Sequence, residues 1–414
     1  MRLKIHRGAA EIGGNCIELE SSSGQSILLD LGAPLIGHLS PHDALPAISG
    51  LTDGTNSNLL GIVISHPHAD HYGLVGLAHP SVPVYIGKDA ANLLRAALAF
   101  GPFGADFPNV IHYRHRKSFQ VGPFRITPYL NDHSAFDAYS FLVEADKKTL
   151  FYSGDIRGHG WKSRMFDQLL DDGPQGVDVM LLEGTTLGRD KEEPSESEAD
   201  LVGRLSESIA NSKGLVLAAF SGQNIDRFVT FYKATRSNRR NFVVDLYVAH
   251  LLRALGRKSL PNPTSNALRV YLPRRTKLKI VRDQSFDLVT PYHHRRIYPH
   301  ELRKRKKHLV MSFRSSMAQD LEQADCLEGA KLIYSMWPGY IERSSHNIDD
   351  WCAKHNIEFE IIHTSGHADA HDLKLLVSSI QPKNLIPIHT FAPDRFDCIG
   401  GNVTHVVDGE WFEP

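Results

Sequence analysis

The chain has 414 residues, 42% of them hydrophobic and 22% charged, with a formal net charge of −1 at pH 7. This is globular composition, which excludes a disordered chain, and the length exceeds what one ordinary core serves, so two domains, or one domain with a large insertion, are expected. No apolar run approaches the ~18 residues of a membrane span, and Met1-Arg2-Leu3-Lys4-Ile5-His6 enters a strand-like pattern without a signal-peptide core. Cys16, Cys326, Cys352 and Cys398 form no CxxC pair, which argues against a disulfide framework and a cysteine zinc site and makes a reduced cytoplasm the expected location. The distinctive count is 23 histidines. Most are expected to be ordinary surface residues, but histidine is also the commonest metal ligand, so their spacing matters.

In chain order, short alternating runs at 3–5, 15–19 and 26–30 predict strands separated by Gly-Gly and Ser-Ser-Ser-Gly turns. Residues 60–65 are apolar and predict a buried strand, with a helix from about Tyr72. A strand at 82–86 and an Ala/Leu-rich helix at 88–100 follow. Strands at 124–129, 139–144, 149–152 and 177–182 continue the series. The character changes after Glu183. Residues 188–200 are polar and acidic, Ser195 with Glu198 reads as a capping box, and Leu201, Leu205 and Ile209 recur at helical spacing. A strand at 215–220, a helix at 226–235 and a strand at 242–246 predict an α/β unit with its own parallel sheet. Residues 269–307 hold thirteen Lys/Arg against three acids, a local balance of +10, so the remainder carries −11. Strand patterns return at 359–363, 385–388 and 403–407.

The densest chemistry is Ser65-His66-Pro67-His68-Ala69-Asp70-His71, directly after a buried strand. In an extended segment residues two apart point the same way, so His66 and His68 can grip one metal from one side. Asp70 and His71 can turn toward a second metal where the next helix begins. Imidazole with carboxylate suits zinc, with manganese the alternative.

This HxHxDH pattern resembles the signature of the metallo-β-lactamase superfamily. The other motifs occur in order: Asp30 in Leu28-Leu29-Asp30-Leu31-Gly32, His133 in Asn131-Asp132-His133-Ser134, and Asp155 in Ser153-Gly154-Asp155. Glu183 in Leu182-Glu183-Gly184-Thr185, Ser365-Gly366-His367-Ala368, and Pro387-Ile388-His389-Thr390 resemble the later motifs of its β-CASP branch, and within it of the ribonuclease J family. Gly8-Ala9-Ala10-Glu11-Ile12-Gly13-Gly14-Asn15 resembles that family's N-terminus.

The resemblance implies an α/β fold, a metallo-β-lactamase αββα sandwich with an inserted α/β β-CASP domain. The first part would span 1–187, the nucleic-acid clamp 188–349 and the completing part 350–414. It implies two divalent ions, zinc or manganese: His66, His68 and His133 on one, Asp70, His71 and His389 on the other, and Asp155 bridging. Two cations about 3.5–4 Å apart acidify a shared water to hydroxide and brace an in-line displacement at phosphorus. Asp70 would also orient that hydroxide, His367 would protonate the leaving oxygen with Glu183 orienting it, and Ser365 would hold a phosphate oxygen. Asp30 would support the ligands.

In Phe220-Ser221-Gly222-Gln223-Asn224-Ile225-Asp226-Arg227 a helix start follows a strand, and helix N-termini bind phosphates. Asn224 and Arg227 match the family's substrate segment, whereas extra residues separate Ser221 from Asn224. Met336-Trp337-Pro338-Gly339-Tyr340 offers rings for base stacking. For both segments, packing in the insertion core is an equal alternative. A charge run is usually a solvated face, but beside nuclease motifs the 269–307 run reads better as a polyanion-guiding surface.

The expected activity is hydrolysis of single-stranded RNA, 5′-to-3′ exonucleolytic or endonucleolytic, without a membrane partner. The choice of RNA rests on the family pattern of histidine at the position of His389. A DNA nuclease of the same fold, a small-molecule metallo-hydrolase and a non-catalytic binding subunit are the alternatives. The chain stops at Pro414, soon after the last motif, so the extra C-terminal domain of ribonuclease J is expected to be missing. A homodimer is open to it but is not implied.

Overall fold

Alternation at period two decides the layering of the first of two compact units. The computed structural model describes residues 1–35, 40–189, 194–343 and 348–414. It divides into one unit of Met1–Arg95, Ala105–Ser195 and Gly366–Pro414, and another of Ala96–Gly104 and Glu196–Ser365.

In the first unit, Leu3 and Ile5 of strand Arg2–Arg7, Ile17 and Leu19 of Cys16–Glu20, and Ile27 and Leu29 of Ser26–Leu29 share one core with inward residues of a second sheet. Those residues include Phe141, Val143, Leu150, Tyr152, Leu181 and Ile386. The opposite faces carry the other half of each alternation. Leu28, Ile62 and Ile64 pack with Ala90 and Leu94 of helix Lys88–Ala97. Phe151, Met180 and Leu182 pack with Phe166 and Leu169 of helix Ser163–Asp172 and with Leu373 and Leu376 of helix Ala370–Ile380. Two sheets back to back, each covered by helices, make the expected αββα sandwich.

The first sheet has seven strands and the second six. In the first, Ser26–Leu29, Leu59–Val63, Val84–Gly87 and Val110–Tyr113 run parallel. In the second, Lys148–Tyr152, Val179–Glu183 and Asn384–Ile388 run parallel. Phe124–Leu130 has the same direction, because both it and Lys148–Tyr152 are antiparallel to Tyr139–Ala145. Parallel neighbours bring the carboxyl ends of strands distant in sequence to one edge of a sheet.

The second unit is a seven-stranded parallel sheet in the order Arg296–Ile297, Leu268–Tyr271, Asn241–Asp245, Leu309–Phe313, Val216–Ala219, Lys331–Tyr334 and Glu358–Ile361. Its inner strands Val216–Ala219 and Leu309–Phe313 are buried runs, as a sheet covered on both faces requires. Strand Glu358–Ile361 pairs with Lys331–Tyr334, and Cys352 of helix Ile348–Lys354 lies in this unit's core. The compact units therefore part at 365/366, and at 195/196 on the entering side, rather than at the sequence boundaries 349/350 and 187/188. No helix among the described residues is long and apolar enough to cross a membrane.

Three local expectations change. The helix from Tyr72 is instead one turn, Ala69–Tyr72, stopped at Gly73 and followed by a 3-10 turn at Val75–Leu77. Glycine is needed at 73, because a Cβ there would lie 2.8 Å from the Ala33 Cβ. The capping box lies two residues later, with Ser197 capping helix Glu198–Asn211 and Asp200 closing the box. Glu198 is thereby released into the core. Residues 403–407 form only a bridge from Val403 to Leu385, after Gly400 and Gly401 with positive φ. The acidic run expected at 188–200 includes residues 190–193, which lie outside the described residues.

The cap can be checked by substitution. Ser197→Ala is expected to cost about 1 kcal/mol in denaturant unfolding, whereas Ser195→Ala leaves the cap intact.

Candidate metal centre

The strand Leu59–Val63 runs into Ser65-His66-Pro67-His68, still extended at His68 (φ −95°, ψ 144°). His66 and His68 therefore share a side, and the single turn Ala69–Tyr72 brings Asp70 and His71 to the same place. Gly32 makes this possible, because a Cβ there would overlap the Asp70 carbonyl. His133 follows Phe124–Leu130, Asp155 follows Lys148–Tyr152, Glu183 ends Val179–Glu183, and His389 follows Asn384–Ile388. His367 precedes helix Ala370–Ile380.

Two sets of side chains form. His66, His68, His133 and Asp155 have donor atoms within 4.8 Å of one another, as do Asp70, His71, His389 and Asp155. Asp155 belongs to both. Its Oδ2 lies 3.2 Å from His71 Nε2, 3.5 Å from His66 Nε2 and 3.8 Å from both His133 Nε2 and His389 Nε2. His68 Nδ1 is 3.2 Å from His133 Nε2, and Asp70 Oδ2 is 3.7 Å from His389 Nε2. Donors bonded to one tetrahedral ion at about 2.1 Å lie about 3.4 Å apart, so these spacings are those of ligand edges. The structure thus brings together all seven residues read from the sequence as metal ligands, in the same two groups.

The unpartnered atoms are the stronger test. His66 Nε2, His71 Nε2, His389 Nε2 and both Asp155 oxygens are buried and make no hydrogen bond. Buried polar atoms are normally satisfied, and a carboxylate left bare in the interior costs several kcal/mol. Mixed imidazole and carboxylate donors are a set that divalent zinc accepts.

The electrostatics agree. Burial, reinforced by the neighbouring imidazoles, holds His66 and His133 well below the usual histidine range, and burial brings His68 to about 4. These rings are neutral, the form that ligates metal. Burial opposes charge on His71 too, but Asp155 and Asp30 overcome it and hold its pKa well above the ordinary value. Asp155 itself is held well below the usual carboxylate range. Its burial is outweighed by His389, His71 and His367 around it.

A third set comprises Asp155, Glu183 and His367. Here both Glu183 oxygens are occupied. Oε1 accepts from the Ile156 amide at 3.0 Å and Oε2 from the Thr185 amide at 3.1 Å, while His367 Nδ1 lies 3.0 and 3.1 Å from the two. Burial would lower the His367 pKa, yet Glu183 and Asp155 raise it above the ordinary value.

Behind the ligands stands a network that the sequence reading credited only to Asp30. Its fully buried carboxylate accepts from the Ser65 amide (2.6 Å), Ser65 Oγ (2.7 Å) and Tyr152 Oη (2.6 Å), and meets His71 Nδ1 at 2.7 Å. Asn15 Oδ1 meets His389 Nδ1 at 3.0 Å. Each contact occupies one ring nitrogen and leaves Nε2 facing the site. Asn15 closes the N-terminal motif and could have been singled out there; Tyr152 sits in a plain apolar strand and carries no such signal.

Two predicted substrate contacts are corrected. Asn224 caps helix Ile225–Ser237, its Oδ1 accepting the Arg227 amide at 2.8 Å. Arg227 is fully buried: its guanidinium donates to Glu198 Oε1 and Oε2 (3.0 and 3.1 Å), Ser335 O and Oγ (2.9 and 2.6 Å) and Thr364 O (3.1 Å). Its donors are occupied and water does not reach it, so no phosphate can either. Ser365 is half-buried, the last residue of the second unit.

Two family models match the chain: the beta-lactamase superfamily domain over residues 29–214, and the Zn-dependent metallo-hydrolase RNA specificity domain over 355–391. With the αββα layers and the histidine–aspartate sets, these matches make the chain similar to the β-CASP branch of the metallo-β-lactamase superfamily. Within that branch it resembles ribonuclease J. It is 24% identical over 383 aligned positions to ribonuclease J of Sinorhizobium meliloti, covering 88% of this chain and 64% of that protein. It is 25% identical to the Mycobacterium tuberculosis ribonuclease J, covering 94% and 68%, and 23% identical to a Helicobacter pylori one, covering 92% and 55%. The chain thus spans between about half and two thirds of these relatives' lengths. A solved structure of a protein of unknown function from Enterococcus faecalis V583 shares the fold, with a TM-score of 0.78, 20% identity and 99% of both chains covered.

Two outcomes are expected. Arg227→Ala leaves Glu198 buried and uncompensated and lowers unfolding free energy by about 3–5 kcal/mol in urea. Asn15→Ala frees the His389 ring and is expected to weaken divalent-cation binding at the set that contains His389 by about 10–100-fold in chelator competition.

Proposed function

We propose that this protein is a metal-dependent ribonuclease that hydrolyses RNA phosphodiester bonds. The observation that carries the reading is the convergence of buried, unbonded imidazole nitrogens on the bare Asp155 carboxylate. The names of its relatives and the RNA specificity match over 355–391, which includes His367 and His389, support RNA as the substrate class. His66, His68, His133 and Asp155 would hold one divalent cation, and Asp70, His71, His389 and Asp155 a second, zinc by donor chemistry with manganese as the alternative. Bound there, two such cations supply Lewis acidity, acidifying water and offsetting charge on the phosphoryl oxygens.

The chain's own groups do the rest. Asp70 accepts a proton from the attacking water and so orients it. Glu183 keeps a proton on His367 Nδ1, which leaves Nε2 to deliver a proton to the departing oxygen. Ser365 donates its hydroxyl to a non-bridging oxygen. In the 269–307 segment, exposed Arg275, Lys304 and Lys307 neutralise backbone phosphates without reading sequence.

End-labelled RNA and matched DNA, each with 5′ monophosphate or 5′ hydroxyl, test substrate and mode together. RNA is expected to be cut faster. Release of single nucleotides from the 5′-monophosphate substrate identifies an exonuclease, and internal fragments an endonuclease. Faster DNA cleavage, or ester hydrolysis with no action on either polymer, overturns the reading. Asp70→Ala and His71→Ala are expected to lower turnover at least about 10³-fold while the circular dichroism spectrum is kept; turnover within tenfold of wild type contradicts the ligand assignment.

A further inference from the structure

The inserted unit holds a cavity of about 490 Å³ lined by Tyr271, Arg274, Lys277, Arg296, Tyr298 and Asp320 among others. It opens at the carboxyl ends of two parallel neighbours, since Tyr271 and Ile297 are the last residues of Leu268–Tyr271 and Arg296–Ile297. Its volume lies within the range of small-ligand sites, about 300–1,000 Å³.

Its cations stand without carboxylate partners among the described residues. Three other cations of that segment have acidic partners: Arg282 with Asp283, Arg303 with Asp325, Lys306 with Glu328. Among the described residues, none pairs a carboxylate with the Arg274, Lys277 or Arg296 side chain. Arg296 lies 4.9 Å over the Tyr298 ring, and its Nε is buried without a hydrogen-bond partner. The one acid on the wall, Asp320, is engaged by the Arg274 amide at 2.7 Å and the Tyr271 hydroxyl at 3.3 Å. Helix Arg274–Arg282 has no acid in its first turn and carries Arg274, Arg275 and Lys277 there. Cations at a helix N-terminus oppose its dipole, so helix stability does not account for them.

We infer that this cavity binds a phosphate ester, the chemistry shared by a free nucleotide and an RNA chain, through the side chains of Arg274, Lys277 and Arg296. The guanidinium forks suit phosphate oxygens, and the stacked Tyr298 ring holds Arg296 in place. The RNA arm deepens the proposed reading of the basic segment. Its test uses metal-stripped protein without turnover, so failure here and failure of the hydrolase reading are separate results.

The full chain in EDTA is titrated with AMP by calorimetry and with a 5′-hydroxyl 2′-O-methyl RNA 12-mer by fluorescence anisotropy. Arg274→Gln/Lys277→Gln is expected to weaken one or both ligands at least about tenfold. If the 12-mer is affected, its log K against log salt slope falls by about 1.4. Arg296→Lys keeps the charge but loses the fork, and is expected to weaken the same ligand less. Loss of AMP alone identifies a free nucleotide as ligand, loss of the 12-mer alone a chain phosphate, and mutual competition both. Arg303→Gln/Lys306→Gln removes two ion-paired cations of the same segment outside the cavity and is expected to leave AMP binding unchanged. Unchanged affinity for both ligands in a double variant that melts like wild type overturns the site. So does an equal loss in the control pair.

Discussion

The carboxylate of Asp30 joins the two sheets beneath the candidate centre, and the rest of the arrangement depends on it. It leaves the end of a first-sheet strand and accepts the hydroxyl of Tyr152, the last residue of a second-sheet strand. It also takes the Ser65 amide and hydroxyl and the His71 ring. Ser65 opens the histidine loop, so one buried side chain sets both the loop's path and the direction of a ligand. The Asp30 backbone is left-handed (φ 60°), a conformation that costs a non-glycine residue energy and is held by surrounding contacts. Hydrogen bonds to a charged group, each about 1.5–3 kcal/mol, are strong enough to do so.

Much of this was readable because the motif is local. His66, His68, Asp70 and His71 lie within six residues, and the period of an extended strand followed by one helical turn is enough to aim them. His133, Asp155, Glu183 and His389 were readable for a different reason. Each stands at or just past the end of an apolar run, and parallel strands collect such ends at one edge. What stayed hidden is what depends on tertiary contact. Nothing local to Tyr152 says that its hydroxyl meets Asp30. The strand pattern at 359–363 is correct as secondary structure, but which sheet it joins is decided by Lys331–Tyr334, nearly thirty residues earlier.

Arg227 and Glu198 show the same limit from the other side. An arginine near a helix start beside nuclease motifs reads naturally as a phosphate contact. A buried charged pair of this kind is weak evidence of stabilisation over an apolar core but costs heavily if one partner is removed. The pair ties helix Glu198–Asn211 to helix Ile225–Ser237 and to the Ser335 and Thr364 carbonyls, and every donor the motif seemed to offer is taken. The identity of the residue was informative; its burial, which sequence does not state, reverses the role.

Asp30 and Asp155 together separate scaffold from site. Both are buried aspartates at the carboxyl ends of strands, and both lie against His71. Asp30 has its oxygens filled by protein donors. Asp155 has ring nitrogens on all sides at 3.2–3.8 Å and no hydrogen bond to either oxygen. Folding alone would favour satisfying both, since an unsatisfied buried carboxylate is among the costlier features a core can hold. A buried carboxylate with no hydrogen bond, on which several ring nitrogens converge, is the arrangement a group from outside the chain would complete. The arrangement of donors and the charge of Asp155 suit a divalent cation in that place.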